Sequence, residues 1–481
     1  MEISSKFTSL FKNIAIFALG SIGTKMIVFL LIPLYTYTLT KSEFGYVELI
    51  NVLIFIMVPI VSFQLADSVY RFLLDAVEEE KKSIISTTLI LLVVSISACG
   101  LITFLLSYNE KISAFFKGNI SIVFIVGVST ILIGIFKQIA RGINKSIAFA
   151  ATDIIQTILT AISAVYLLYV KNKGIEGYFD SLIIANIISL IVLLIWIKIW
   201  RYIDFKEFNR ECAKDLLKYG LPLVPNVLAW WFINASDRFV LANYTNFETI
   251  GLYSLAFKYA GILMVFSTIF NLAWQTTANS LKKSDEKEII FSKVFKGYYV
   301  FFVFVSTFML IFGKTALGII ATQDYYESWV FIPLLLSANF CIIMSGFYSV
   351  AHLLAKKTNK IFYSTLIVGT LNIILNLLLV PKFGAQASAF STFVSCLVMW
   401  IIRIKDTKKY INIVIDVKHL AGNLIVLMFI GSFQFLHIDS LIYWVVSSGF
   451  VIILLMINFN VLKQIKPMIT IVTQKLKNRF N

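Results

Sequence analysis

Three basic residues, Lys25, Arg238 and Lys258, stand inside stretches otherwise built of apolar side chains. An ionisable group held within lipid is costly, so it faces a partner, a water-filled space or a charged ligand. Polar residues accompany these three at helical spacing. Asn226, Trp230, Asn234, Asp237 and Arg238 recur at three- and four-residue steps, which is one face of a helix. Ser254, Lys258, Gly261, Thr268 and Gln275 form a second such stripe, and Glu48, Asn51, Pro59 and Ser62 a third. If Lys25, Arg238 and Lys258 face inward together, they line a positive cavity whose low dielectric strengthens its hold on an anion. Phosphate and acidic sugars are the natural ligands, and the neighbouring amides and indole suit sugar hydroxyls and ring faces. The candidate ligand-contacting set is therefore Lys25, Asn51, Asn226, Trp230, Asn234, Asp237, Arg238, Lys258 and Gln275. Asp237 is adjacent to Arg238 in sequence and so points about 100° away from it around the helix. That disfavours a direct pair and directs Asp237 toward Lys258 instead. Substrate contact and structural pairing both remain open for Arg238 and Lys25.

No residues point to catalysis or to a resident metal. The three histidines lie at the ends of apolar runs, and the four cysteines are dispersed without ligand or disulfide spacing. No glycine-rich phosphate cradle is present, which leaves transport driven by an ion gradient or passive transport. The expectation is no cofactor, with coupling to a proton or sodium gradient left open.

The elements that position these residues are membrane helices. At 59% hydrophobic and 14% charged, the chain falls far below the roughly one-quarter charged residues of a soluble domain. Fourteen apolar runs, from 13–37 to 440–461, are each about 20 residues long, enough to cross a bilayer. The N-terminus, the even-numbered loops and the tail carry 32 Lys and Arg, against seven in the odd-numbered loops. Basic loops resist translocation, so both termini are expected in the cytoplasm. The same bias accounts for the net charge of +16 and argues against nucleic acid as a partner.

Two internal similarities divide the chain. Lys12 to Glu48 matches Lys218 to Ser254. NKSIAFAATDIIQ…LYVKNKGIEG, from Asn144, matches NKIFYSTLIVGTL…LLVPKFGAQA, from Asn359, and sets Gly174 opposite Gly384. The matched spans share one orientation, as in parallel repeats. The reading is an all-α integral membrane protein of about 14 helices: six-helix bundles at 1–201 and 202–409, then two further helices and a basic amphipathic tail at 410–481. The joint from Arg201 to Lys218 is expected to be an amphipathic helix at the membrane surface, with Phe205, Phe208, Cys212 and Leu216 on its apolar side.

KYGLPLVPNVLAWWFINASDRFVLANYTNFETIGLYSLAFKYA and LLAKKTNKIFYSTLIVGTLNIILNLLLVPKFGAQASAFST, with FLLIPLYTYTLTKSEFGYVELI in the first half, resemble bacterial polysaccharide-unit flippases. These are the Wzx-type O-antigen and capsule exporters of the multidrug/oligosaccharidyl-lipid/polysaccharide superfamily, and the likeness covers nearly the whole chain. The resemblance implies a transporter rather than an enzyme, in the bacterial cytoplasmic membrane. Its substrate would be an oligosaccharide repeat unit on polyprenyl pyrophosphate, moved to the outer leaflet for surface polysaccharide or lipopolysaccharide synthesis. It further implies alternating access around a V-shaped cationic cavity from helices 1, 2, 7 and 8. Asp237-Arg238 matches the acidic-basic pair common in helix 7 of such proteins, and Lys25 a basic residue in helix 1. A polysaccharide polymerase and glycosyltransferases would act beside it. QASAFST departs from the commoner Gly-Ala-Ala pattern, which bears on how closely helix 12 packs. A lipid II flippase and a multidrug extruder of the same superfamily are the alternatives. A membrane glycosyltransferase or polymerase, which needs a long outer catalytic loop, fits less well.

Overall fold

The computed structural model describes residues 29–116, 119–281, 286–436 and 439–480, without the side chains of 234, 280 and 464–480. The described residues are all helical or loop, in two compact units that divide between Phe239 and Val240. Eleven helices among them are long and apolar enough to cross a membrane. Two shorter apolar helices, Phe29–Thr38 and Val417–Phe433, fall on the first and thirteenth apolar runs. One of the eleven, Thr358–Thr407, is a merged pair that covers two runs. Every one of the fourteen runs thus contains a helix.

In the first unit, α1 (Phe29–Thr38) leads into α2 (Lys41–Ser62) through Thr40. The Thr40 hydroxyl accepts from the Glu43 N–H at 3.2 Å, and Glu43 accepts from the Thr40 N–H at 2.9 Å. This reciprocal cap satisfies two otherwise orphaned donors and fixes where the helix begins. Phe63 and Gln64, both left-handed at φ 47 and 53, end α2 and turn the chain into α3 (Leu65–Asp75). Next come α4 (Glu78–Ser107), α5 (Glu110–Phe115), α6 (Ile120–Gly142), α7 (Ser146–Ala164) and α8 (Gly174–Ile197). The core is a seam of Val69, Leu73, Ile85, Leu92, Ile139 and Leu193 drawn from α3, α4, α6 and α8.

The expected surface helix over 201–218 is shorter than its sequence stripe suggests. Asn209 accepts from the N–H groups of Glu211 and Cys212 and so starts α9 (Arg210–Gly220) late. Phe205 and Phe208 lie before that start and are exposed, whereas Leu216 is fully buried. The helix packs on α3 and α4, where Ser68 donates to the Leu216 carbonyl at 3.0 Å. Then α10 (Val224–Asn234) packs on α2, and α11 (Ser236–Tyr244) spans the division between units.

The second unit contains α12 (Phe247–Ser280), α13 (Lys287–Ile320), α14 (Ile332–Leu354), α15 (Thr358–Thr407), α16 (Val417–Phe433) and α17 (Ser440–Phe480). Inside α15 only Gly384, at φ 62 and ψ −150, leaves helical geometry, and there the chain folds back on itself. Its two limbs form a hairpin with buried polar rungs. Ser388 donates to Asn376 at 2.7 Å, and Asn372 donates to Thr392 at 3.3 Å. Ala387, Ser388, Ala389, Ser391 and Thr392 are buried, so small residues do let the returning limb pack closely. The first unit repeats the device. Gly174, at φ 55, opens α8, which folds back on α7 with Gln156 donating to Asn186 at 2.7 Å. Glycine adopts that left-handed geometry without the penalty a Cβ would bring. The two glycines matched in the sequence repeat thus both take positive φ where the chain turns back. Finally, α16 and α17 dock on α13, where Lys314 donates to the Gln434 carbonyl at 2.6 Å and sits 3.9 Å from the Trp329 ring centroid.

Candidate functional site

The seventh apolar run is not one continuous face. Its helix breaks at Ala235, whose φ of −144 and ψ of −19 separate α10 from α11. The three-and-four stripe from Asn226 to Arg238 therefore spans two helices, with Asn226, Trp230 and Asn234 on α10 and Asp237 and Arg238 on α11. The break also changes the chemistry of Asp237. This residue stands in the first turn of α11, where backbone N–H groups have no helical partner and favour a carboxylate. Its Oδ1 accepts from the Arg238 N–H at 2.9 Å and from the Arg238 guanidinium at 2.8 Å. The expectation that sequence neighbours point apart is thus overturned. It assumed a regular helix, and at a helix start the short Asp side chain folds back over the next N–H while the long Arg side chain curls to meet it. Asp237 is 1% exposed and Arg238 4%. Arg238 is consequently a compensated charge, not a bare cation.

Other candidates in the first unit lie on neighbouring elements. Asn51, on α2, donates to the Tyr178 hydroxyl at 2.9 Å, and the Tyr178 and Tyr35 rings meet edge-on with centroids 5.1 Å apart. Glu48, one turn before Asn51, is buried in the same helix. Asn226 is exposed and Trp230 half-buried on α10, the helix that packs on α2. Asn51, Asn226 and Trp230 therefore belong to one packed helix pair. Asn234 ends α10, and its side chain lies outside the described set. Lys25 also lies outside the described residues. In the second unit, Lys258 is half-buried and Gln275 exposed on α12, more than four turns apart, so any ligand that touched both would be extended.

Charges at the helix ends have local partners. Lys137 pairs with Asp153, and the Arg141 guanidinium lies 4.2 Å from the Tyr70 ring centroid. Burial pushes the Asp67 carboxyl up, against the opposing field of Arg141. Among the described residues no three His, Cys, Asp or Glu side chains gather to hold a metal ion.

One buried charge escaped the sequence reading. Arg403, grouped there with the basic residues of a loop, is 2% exposed inside the returning limb of α15. Ser395, Met399, Arg403 and Thr407 follow each other at four-residue steps and are all buried, a stripe that could have marked it.

Known proteins match this architecture. An inward-closed structure of the lipid II flippase MurJ aligns with a TM-score of 0.65 at 15% identity, covering 94% of this chain and 99% of that one. An inward-facing multidrug resistance MATE family transporter of the MOP superfamily aligns at 0.64 and 12% identity, covering 82% and 97%. At those identities the likeness establishes the fold. An uncharacterized membrane protein of Methanocaldococcus jannaschii is 20% identical over 325 residues, which is 64% of this chain and 62% of that protein's length. The sequence also matches the family described as "Polysaccharide biosynthesis protein" over residues 10–278. That stretch is more than half of the chain and contains the α10–α11 break with its buried ion pair, so the protein belongs to the polysaccharide biosynthesis protein family.

Proposed function

We propose that this protein moves a polyprenyl-pyrophosphate-linked oligosaccharide from the cytoplasmic to the outer leaflet of the bacterial inner membrane, by alternating access, for an O-antigen, capsule or related surface polysaccharide. The family match over residues 10–278 carries the reading. The chemistry of the candidate residues supports it. Lys25 and Lys258 offer positive charge to a pyrophosphate or an acidic sugar. Asn51, Asn226, Trp230 and Gln275 offer amides and an indole to a sugar chain. Arg238 enters with Asp237 beside it, which suits a group that donates to the carboxylate while it accepts from the guanidinium, as sugar hydroxyls do.

Deletion of the gene should trap lipid-linked repeat units on the cytoplasmic leaflet while surface polymer disappears. Leaflet-specific enzymatic trimming of the exposed glycan reads this out. One observation favours a second reading: Glu48 and Asp237 are buried carboxylates within the first unit, as a cation-extruding transporter would use. Normal polymer together with loss of drug or dye efflux would decide for extrusion. Orientation is checked separately. Reporter fusions at Thr245 and Lys408 should lie on opposite sides of the membrane, with Lys408 inside. A shared side would overturn the direction of transport proposed.

A further inference from the structure

The buried guanidinium of Arg403 is held entirely by neutral oxygens. Its Nε donates to Ser364 Oγ at 3.1 Å and its Nη2 to Thr365 Oγ1 at 3.0 Å, both on the outgoing limb of α15. Its Nη1 donates to Ser349 Oγ at 2.8 Å and to the hydroxyl and carbonyl oxygens of Ser345 at 3.2 and 3.3 Å, all on α14. Among the described residues no carboxylate pairs with it. Each hydroxyl hands its own proton to its helix: Ser345 to Ile342 O, Ser349 to Ser345 O, and Ser364 and Thr365 both to Ile361 O. Every hydroxyl in the cradle therefore both accepts and donates.

The first unit shows that this place can be filled without charge. Arg403 stands as far beyond Gly384 as Leu193 stands beyond Gly174, and Leu193 is fully buried among apolar neighbours. A helical hairpin of this design thus packs with a leucine at the equivalent position. The guanidinium does something else. Apolar contact is non-directional and tolerates sliding, whereas five oriented bonds to two partner segments fix their relative register.

We infer that Arg403 is a clamp that locks α14 and both limbs of α15 into a single body, so that these three membrane segments move together when the protein changes conformation. Among the described residues the clamp has no carboxylate whose protonation or ion binding could release it, so it belongs to the rigid part of the machine. This goes beyond the proposed function and does not depend on the substrate.

Four native thiols supply the test. Cys341 on α14 and Cys396 on the returning limb of α15 are buried near the clamp, whereas Cys99 and Cys212 lie in the first unit. Maleimide labelling in native membranes, resolved cysteine by cysteine with mass spectrometry, should find Cys341 and Cys396 protected in the unaltered protein. Arg403→Leu should raise their labelling rates roughly tenfold or more by allowing local opening, with Cys99 and Cys212 unchanged. Arg403→Lys should fall between, since an ammonium has three donors rather than a five-donor fork. Ser349→Ala, which removes one acceptor and keeps the fork, should give a smaller rise at the same two cysteines. It serves as the reading if Arg403→Leu does not accumulate. Unchanged protection of Cys341 and Cys396 in these variants would overturn the clamp. So would all four cysteines rising together, because that reports general loosening.

Discussion

Arg238→Ala is expected to cost the protein about 3–5 kcal/mol of stability, the usual penalty for removing one partner of a buried ion pair. Asp237 would keep the Arg238 backbone N–H but lose the guanidinium 2.8 Å away, at a site 1% exposed to solvent. Thermal unfolding in detergent and protein levels in membranes should both register the loss. The control removes both charges. Asp237→Asn with Arg238→Gln leaves neutral, hydrogen-bonding groups of similar size and should recover most of the stability. Transport by that double variant then separates the roles. A stable protein that no longer moves substrate assigns the charges to the ligand, and a stable, active one assigns them to the fold. An Arg238→Ala protein as stable as the parent would remove the basis for treating the pair as structural.

Gly220→Ala should be strongly damaging although it adds only a methyl group. At the end of α9 a Cβ would fall 2.3 Å from the Phe63 carbonyl oxygen and 2.6 Å from Ser68 Oγ. The first of these is backbone, at the left-handed turn that ends α2, and it has no rotamer by which to retreat. Ser68 is itself engaged with the Leu216 carbonyl. Overpacking of this kind costs about 1–3 kcal/mol, more when backbone must move. A lowered melting temperature of purified protein checks it. Gly134→Ala makes a useful contrast, because nothing lies within 4 Å of the Cβ it would add. Equal melting temperatures for the two variants would refute the close approach at Gly220.

How far the sequence could be read follows from what kind of signal each feature leaves. Apolar run length is set by bilayer thickness, so the membrane-crossing helices among the described residues are legible as apolar runs. The turn glycines could be matched because Gly174 and Gly384 must both adopt geometry that other residues resist. The sequence draws attention to Asp237 and Arg238 but arranges them wrongly, since the two side chains meet directly. Periodicity assumes a straight helix, and nothing in the run WWFINASDRF announces the break at Ala235. Asn209 likewise shortened a surface helix that the apolar stripe had extended to Phe205. Arg403 was missed for another reason. It stands close to Lys405 and Lys408, where positive charge is the ordinary mark of a loop beside the membrane, and only its tertiary neighbours reveal that it is inside.

The α15 hairpin also bears on how the chain is made. Asn372 and Asn376 are fully buried and draw part of their hydrogen bonding from Thr392 and Ser388, residues synthesised later. Alone in lipid, the outgoing limb would present two amides to hydrocarbon without those partners. Its stable state in the bilayer therefore awaits the returning limb. The two should leave the insertion machinery as a pair, and a nascent chain arrested just after Gly384 should remain held at the exit, where water and protein can still solvate it.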